Sequence, residues 1–252
     1  MASAWVRPVP ETFDQAIVGK HGRAPQVALA RRQHSEYVSR LVEAGFDVET
    51  IPADDRLPDC VFVEDTAVLL GSRGIMTRPG APARRPEVES VAALLGNKFP
   101  LTSIVAPGTL DGGDVMIMGD TVYVGRSQRT NESGVEQLGE LVSDQGMRLV
   151  PVDVAGVLHL KSGVLPVDAE TVVVTPGTVD EDLLDGLRIV HEEETERHMF
   201  SALPLGDTVL VTSNAPLTAR RVESLGRVVV PIDVSEILAA DGGLTCLSII
   251  QR

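Results

Sequence analysis

A short run of β-formers ending in proline and then aspartate recurs three times along the chain, as Val48-Glu-Thr-Ile-Pro-Ala-Asp, Arg148-Leu-Val-Pro-Val-Asp-Val and Val228-Val-Val-Pro-Ile-Asp-Val. Each copy reads as a strand. Each follows a stretch with apolar residues at helical spacing: Tyr37, Val38, Leu41 and Val42; Val135, Leu138, Leu141 and Val142; and Val222 and Leu225. Two weaker copies complete the series. Val88, Val91, Ala92 and Leu95 lead into Leu101-Thr-Ser-Ile-Val, and Leu183, Leu184 and Leu187 lead into Arg188-Ile-Val. Between the helical stretches lie β-rich pairs punctuated by glycine or Asp-Gly, such as Val115-Met-Ile-Met-Gly-Asp-Thr-Val-Tyr-Val-Gly, which mark hairpins. A hairpin-plus-helix unit of about 40 to 50 residues cannot bury its own core, so such units stack on one another. The expected architecture is α/β, with five units closed around a shared axis in one domain over 1–252. An open doubly wound sheet is disfavoured by the hairpin ahead of each helix.

Composition narrows what this ring can serve. With 252 residues and 43% hydrophobic content, a sizeable core is available. Apolar runs such as Thr171-Val-Val-Val-Thr175 fall far short of the roughly 20 residues a membrane helix needs, so no membrane association is expected. The start, Met1-Ala-Ser-Ala-Trp-Val-Arg-Pro, has neither the basic opening nor the apolar stretch of a signal peptide, and cytoplasmic residence is the expectation. In that reducing compartment Cys60 and Cys246, the two cysteines, are expected to be thiols. A net charge of −14 argues against nucleic acid or anionic membrane as partners, since clustered Lys and Arg drive phosphate binding. The same charge suits a small cationic ligand.

In a circular array the loops at the strand starts converge on the axis. At those points the sequence places Asp59 and the Glu64-Asp65 pair, then Asp111-Gly-Gly-Asp114, then His159 in Leu-His-Leu-Lys-Ser, and last Cys246 in Asp-Gly-Gly-Leu-Thr-Cys-Leu-Ser. Each has an ordinary explanation when taken alone. Adjacent acids arise by chance among 36 acidic residues, an Asp-Gly-Gly-Asp run makes a tight turn, and a histidine between leucines or a cysteine in apolar surroundings belongs to a core. Their occurrence at matching positions of several units favours a cysteine nucleophile instead. Such a nucleophile needs a histidine to move protons and an acid to orient it.

The segments Leu57-Pro-Asp-Cys-Val-Phe-Val-Glu-Asp, Thr77-Arg-Pro-Gly-Ala-Pro-Ala-Arg-Arg, Thr109-Leu-Asp-Gly-Gly-Asp-Val, Ser127-Gln-Arg-Thr-Asn, Leu158-His-Leu-Lys-Ser and Leu244-Thr-Cys closely resemble the dimethylarginine dimethylaminohydrolase family of the guanidine-modifying amidinotransferase superfamily. The resemblance runs from about Val6 to the C-terminus. It implies the five-bladed α/β propeller, or pentein fold, and hydrolysis of N-omega-methylated arginine to citrulline and an amine. It makes Cys246 the nucleophile, His159 the general acid and base, and Asp111 the acid that orients the histidine. Glu64 and Asp65 would grip the guanidinium, Asp59 the α-ammonium, and Arg84 and Arg129 the α-carboxylate. Val18 falls where the family contributes a lid, and Ala240 is carried over as a further substrate contact. No metal or organic cofactor is implied, and a homodimer is compatible with the resemblance.

Arginine deiminase, within the same superfamily, usually carries an aspartate two residues after the histidine, where this chain has Lys161. A dimethylated nitrogen has no hydrogen for such a carboxylate and would leave its charge unpaired, so the lysine favours a methylated substrate. The chain also lacks room for the extra helical domain of the deiminases. A catalytically silent propeller that binds arginine-like ligands or a protein partner is the alternative from another class. The intact catalytic positions speak against it.

Overall fold

The computed structural model describes residues 2–19 and 22–251. Among the described residues, strands gather into five three-stranded sheets. β1 (Ser3–Val6) lies beside β2 (Asp47–Thr50) in the first blade. The second holds β3 (Ala67–Leu70), β4 (Arg73–Met76) and β5 (Leu101–Ser103), and the third β6 (Val115–Met118), β7 (Thr121–Arg126) and β8 (Arg148–Asp153). β9 (Val164–Pro166), β10 (Thr171–Val174) and β11 (Arg188–His191) make the fourth, and β12 (Ala202–Leu205), β13 (Thr208–Thr212) and β14 (Val228–Ile232) the fifth. The last strand, β15 (Ser248–Gln251), returns to pair with β1 and completes the first blade. In every blade the middle strand is antiparallel to one neighbour and parallel to the other. The molecule is therefore a five-bladed α/β propeller.

The parallel pair in each blade needs a crossover, and the amphipathic stretches supply it. α1 (Val27–Glu43) joins β1 to β2, α2 (Glu87–Leu95) joins β4 to β5, α3 (Glu132–Ser143) joins β7 to β8, and α4 (Pro216–Glu223) joins β13 to β14. Most residues read from the spacing face inward: Tyr37 and Leu41, Val91 and Leu95, Val135, Leu138 and Val142, and Val222 are buried between helix and blade, whereas Val42 is exposed on the outer face of α1. A short α5 (Ser235–Ala239) follows β14 and packs on α1. The fourth blade departs from expectation. Leu183, Leu184 and Leu187 do not form an α-helix; only a single 3-10 turn, Glu181–Leu184, spans the crossover. The Asp180 carboxylate accepts from Asp182 N–H at its start, and Gly186 at φ +85° turns the chain immediately afterwards, so the segment stops after one turn.

Four inner strands are each preceded by a single 3-10 turn: Val63–Thr66 before β3, Gly112–Asp114 before β6, Leu160–Ser162 before β9, and Thr245–Leu247 before β15. The Val63–Thr66 turn touches those of Gly112–Asp114 and Thr245–Leu247, and Gly112–Asp114 touches Leu160–Ser162. This crowding explains the Gly-Gly pair. A Cβ on Gly112 would lie 2.0 Å from the Glu64 carbonyl oxygen, and one on Gly113 would lie 2.8 Å from both Asp65 Oδ1 and His159 Nδ1.

Candidate active site

Among the described residues, a larger and a smaller cavity approach the axis. The larger, about 530 Å³, runs between the inner strands; apolar residues such as Leu70, Met116 and Leu203 line its walls, and Glu64, Lys161 and Thr245 lie among its polar residues. The smaller, about 20 Å³, is lined by Ile17, Asp59, Phe62, Asp65, Arg84, Arg129, Leu158, His159, Ala240, Asp241, Gly242 and Cys246. The residues assigned from the sequence divide between them. Glu64 faces the larger cavity, Val18 is exposed and its neighbour Ile17 lines the smaller one, and the rest except Asp111 line the smaller one directly. Asp111 sits behind His159, fully buried.

His159 Nε2 lies 3.0 Å from Asp111 Oδ2, while Asp111 Oδ1 accepts from Gly80 N–H at 2.8 Å. Burial alone would lower the imidazole's pKa, but Asp65, Asp111 and Asp114 around it outweigh that and raise it to about 9. The ring is therefore held protonated at neutral pH. Cys246 is half-buried and its Sγ accepts from Gly243 N–H at 3.3 Å. Burial first, then Glu64 and Asp65, push its thiol up to about 12. Both cysteines are free thiols.

Asp65 is the hinge of the charge network. Its Oδ2 accepts from Arg84 Nη1 at 2.6 Å and its Oδ1 from Gly113 N–H at 2.9 Å. Against the cost of burial, His159 and Arg84 hold this carboxyl well below the usual carboxylate range. Arg84 is buried and widely engaged: Glu87 takes its Nε at 3.1 Å and its Nη2 at 2.8 Å, and the Phe62 carbonyl accepts from Nη2 at 3.0 Å. Arg129 differs, because its buried Nη1 has no hydrogen-bond partner and stands 3.7 Å from Asp111 Oδ2. Asp59 accepts from Ile17 N–H at 3.0 Å, which ties the N-terminal segment over the pocket, and burial raises its pKa. Lys161 donates to Glu64 Oε1 at 2.5 Å, leaving Glu64 Oε2 buried and unpaired. Burial raises the pKa of Glu64 although Lys161 opposes the shift.

Asp65, Asp111 and His159 bring one potential ligand atom each within 4.8 Å of one another, a spacing that a cation could use. The four carboxylate oxygens are already engaged by Gly113 N–H, Arg84, Gly80 N–H and His159. The trio reads as a hydrogen-bonded charge relay, in which the cations are supplied by arginine and histidine. Two further residues, with no role assigned from the sequence, take part in this network. Glu87, fully buried, holds Arg84, and Asp114, fully buried, accepts from Leu160 N–H at 2.9 Å. Asp114 was legible as the end of the Asp-Gly-Gly-Asp run, whereas Glu87 carried no signal beyond an ordinary helix start.

The family profile for N,N dimethylarginine dimethylhydrolase, eukaryotic, matches residues 10–249. The N(G),N(G)-dimethylarginine dimethylaminohydrolase of Streptomyces coelicolor is 38% identical over 98% of this chain and 95% of its own length. The chain belongs to the dimethylarginine dimethylaminohydrolase family. The namesake enzyme of Pseudomonas aeruginosa is 32% identical over 92% of each chain. A solved cysteine-to-serine mutant from that organism, complexed with citrulline, superposes with a TM-score of 0.95 at 29% identity, over 99% of this chain and 98% of that one. A histidine-to-glycine variant of a dimethylarginine dimethylaminohydrolase, solved as an adduct with S-methyl-L-thiocitrulline, gives 0.94 at 29% identity over the full length of both chains.

Proposed function

We propose that this protein hydrolyses N-omega-methylated arginine, asymmetric dimethylarginine and monomethylarginine, to citrulline and dimethylamine or methylamine. The observation that carries the reading is one pocket that gathers Cys246, the Asp111-bound His159, Asp65 and Arg129, whose Nη1 has no hydrogen-bond partner. Cys246 is the nucleophile, His159 the proton carrier and Asp111 its orienting acid. Asp65 and Glu64 hold the guanidinium, Asp59 with Ala240 meets the α-ammonium end, and Arg129 with Arg84 meets the α-carboxylate. The five blades share one axis, which supports a single catalytic domain over 1–252.

The chemistry follows from the charges. With burial, Glu64 and Asp65 all pushing its pKa up, Cys246 is held as the neutral thiol at neutral pH. A guanidinium placed between Asp65, Glu64 and Cys246 neutralises the acids that disfavour the thiolate and adds a cation beside it, so the thiol gives up its proton to solvent while His159 keeps its own. The thiolate then attacks the central guanidinium carbon. His159 gives its proton to the departing methylated nitrogen as that carbon–nitrogen bond breaks, leaving a cationic thiouronium on Cys246. Neutral His159 next takes a proton from water as the oxygen adds to the same carbon; on collapse the carbon–sulfur bond breaks and the hydroxyl proton passes to the departing sulfur, releasing citrulline and the Cys246 thiol with His159 again protonated. Position 161 is a lysine, paired with Glu64, and so offers no carboxylate that would demand hydrogens from a dimethylated nitrogen.

A panel of arginine, monomethylarginine, and asymmetric and symmetric dimethylarginine, scored for citrulline, tests the assignment. Methylated substrates with one unsubstituted terminal nitrogen should exceed arginine in kcat/KM by at least about tenfold, or roughly 1.4 kcal/mol. Symmetric dimethylarginine should be poor. Equal turnover of arginine and asymmetric dimethylarginine would move the chain to a deiminase reading. Cys246→Ser and His159→Ala should each lose more than about a thousandfold in rate, while Cys60→Ser stays active.

A further inference from the structure

We infer that Asp114 is a positioning residue that sets the proton carrier and the carboxylate-binding arginine at the same time; this rests on the activity proposed above. Its two oxygens serve different parts of the site. Oδ1 accepts from the backbone N–H of Leu160, the residue after His159, at 2.9 Å. Oδ2 accepts from the Ser127 and Thr130 hydroxyls, both at 2.6 Å, and these two residues bracket Arg129.

The direction of the protons is fixed throughout this cluster. Ser127 Oγ accepts from the N–H groups of Arg129 at 3.0 Å and Thr130 at 3.2 Å, so its own hydrogen is free to go to Asp114. Thr130 Oγ1 accepts from Asp111 N–H at 3.1 Å and likewise gives its hydrogen to Asp114. Backbone donors thus feed two hydroxyls, and the hydroxyls feed one carboxylate that has only acceptors to offer. The space for that carboxylate is made by Gly125, where a Cβ would stand 2.5 Å from Asp114 Oδ1. Asp114 is fully buried and touches neither the nucleophile nor the pocket surface, so it acts through the loops it ties together and through its charge, which helps hold the proton on His159.

This division predicts opposite kinetic effects from neighbouring substitutions. In Asp114→Asn the amide can offer its oxygen either to the two hydroxyls or to Leu160 N–H. Keeping two bonds favours the hydroxyls and turns the NH2 toward Leu160 N–H, which frees the His159 turn but leaves the Arg129 loop in place. Asp114→Asn should therefore lower kcat at least tenfold with KM for asymmetric dimethylarginine changed by less than threefold. Ser127→Ala releases the Arg129 loop alone, and KM should rise at least fivefold with kcat within threefold of the parent. Asp114→Ala should do both, and adding Ser127→Ala to it should raise KM by no more than about twofold further.

Folding of each variant is checked by its thermal transition, and the isosteric Asp114→Asn and the small Ser127→Ala keep the test open should Asp114→Ala fail to fold. A substrate-free readout separates this inference from the activity itself. Compared at pH 5, where the His159 ring carries its proton in each protein, its NMR resonances should shift in Asp114→Asn and stay unmoved in Ser127→Ala. If the parent protein releases no citrulline, the proposed activity fails while the resonances still decide the role of Asp114. Parent-like kcat and unmoved His159 resonances in Asp114→Asn would overturn the inference, as would a KM effect in Asp114→Asn equal to that of Ser127→Ala.

Discussion

At the scale of single residues, the site keeps its nucleophile quiet and its acid armed. Burial, then Glu64 and Asp65, push the Cys246 thiol up to about 12, since a thiolate would add to the negative charge already there. Alkylation by a neutral reagent such as iodoacetamide should be slow at pH 7 and climb about tenfold per pH unit through pH 10, while an amidinium-bearing electrophile of equal intrinsic reactivity reacts much faster at pH 7. Equal rates at pH 7 would show that a cation does not activate the thiol. His159 shifts the other way, with a folded pKa of about 9 against an ordinary 6.5. A histidine raised on folding contributes stability that is fully present below pH 6.5 and is lost as pH rises through 9. The loss amounts to roughly 3 kcal/mol for a shift of this size. Thermal midpoints measured across that window should fall in the parent and fall less in His159→Asn. Parallel curves for the two would mean that the surrounding acids do not hold the proton.

At the scale of elements, the single 3-10 turns at the strand starts do the assembling, and their contacts are set by glycine. Gly113→Ala would put a methyl group 2.8 Å from both His159 Nδ1 and Asp65 Oδ1. Turnover should drop at least a hundredfold with a modest loss in melting temperature, because the displaced groups are a ring and a carboxylate rather than core packing. Near-parent turnover would show that the turns can separate without harm. These turns were legible only in part. Helices α1 to α4 announced themselves through 3.6-residue spacing, since each buries one face against a blade. Leu183, Leu184 and Leu187 imitate that spacing, yet the Asp180 cap and Gly186 stop the segment after one turn. The polar residues at the strand starts could be picked out because they recur at equivalent places in the repeat. What periodicity could not reveal was pairing across blades. Lys161 holding Glu64 and Asp114 reaching the His159 turn depend on contacts made by distant segments, and no local pattern records them; Glu87 holds Arg84 from three residues away, but nothing in the sequence marks it off from an ordinary acid at a helix start.

At the scale of the whole molecule, closure of the ring depends on its first blade, where β1 and β15 come from opposite ends of the chain. Ser3 stands opposite Gln251 and Val6 opposite Ser248 in antiparallel register. Every other blade makes its antiparallel pair from two strands consecutive in sequence. The nucleophile precedes β15 directly, so pairing of the chain ends and placement of Cys246 are one event. Deleting residues 1–6 should remove Trp5 from the core it shares with Val91, Leu95 and Phe99, and with it both cooperative unfolding and activity. A permuted chain offers the sharper test. Because Ser3 and Gln251 are register partners, a linker of a few residues can join them as a hairpin, and new ends can be opened at Gly119, the exposed turn between β6 and β7. If the blades are equivalent closures of one ring, the permutant should fold with a melting temperature within a few degrees of the parent and keep its turnover. Folding with loss of turnover would show instead that Cys246 needs the strand pairing made by free chain ends, and failure to fold would show that the third blade cannot take over the closing role of the first.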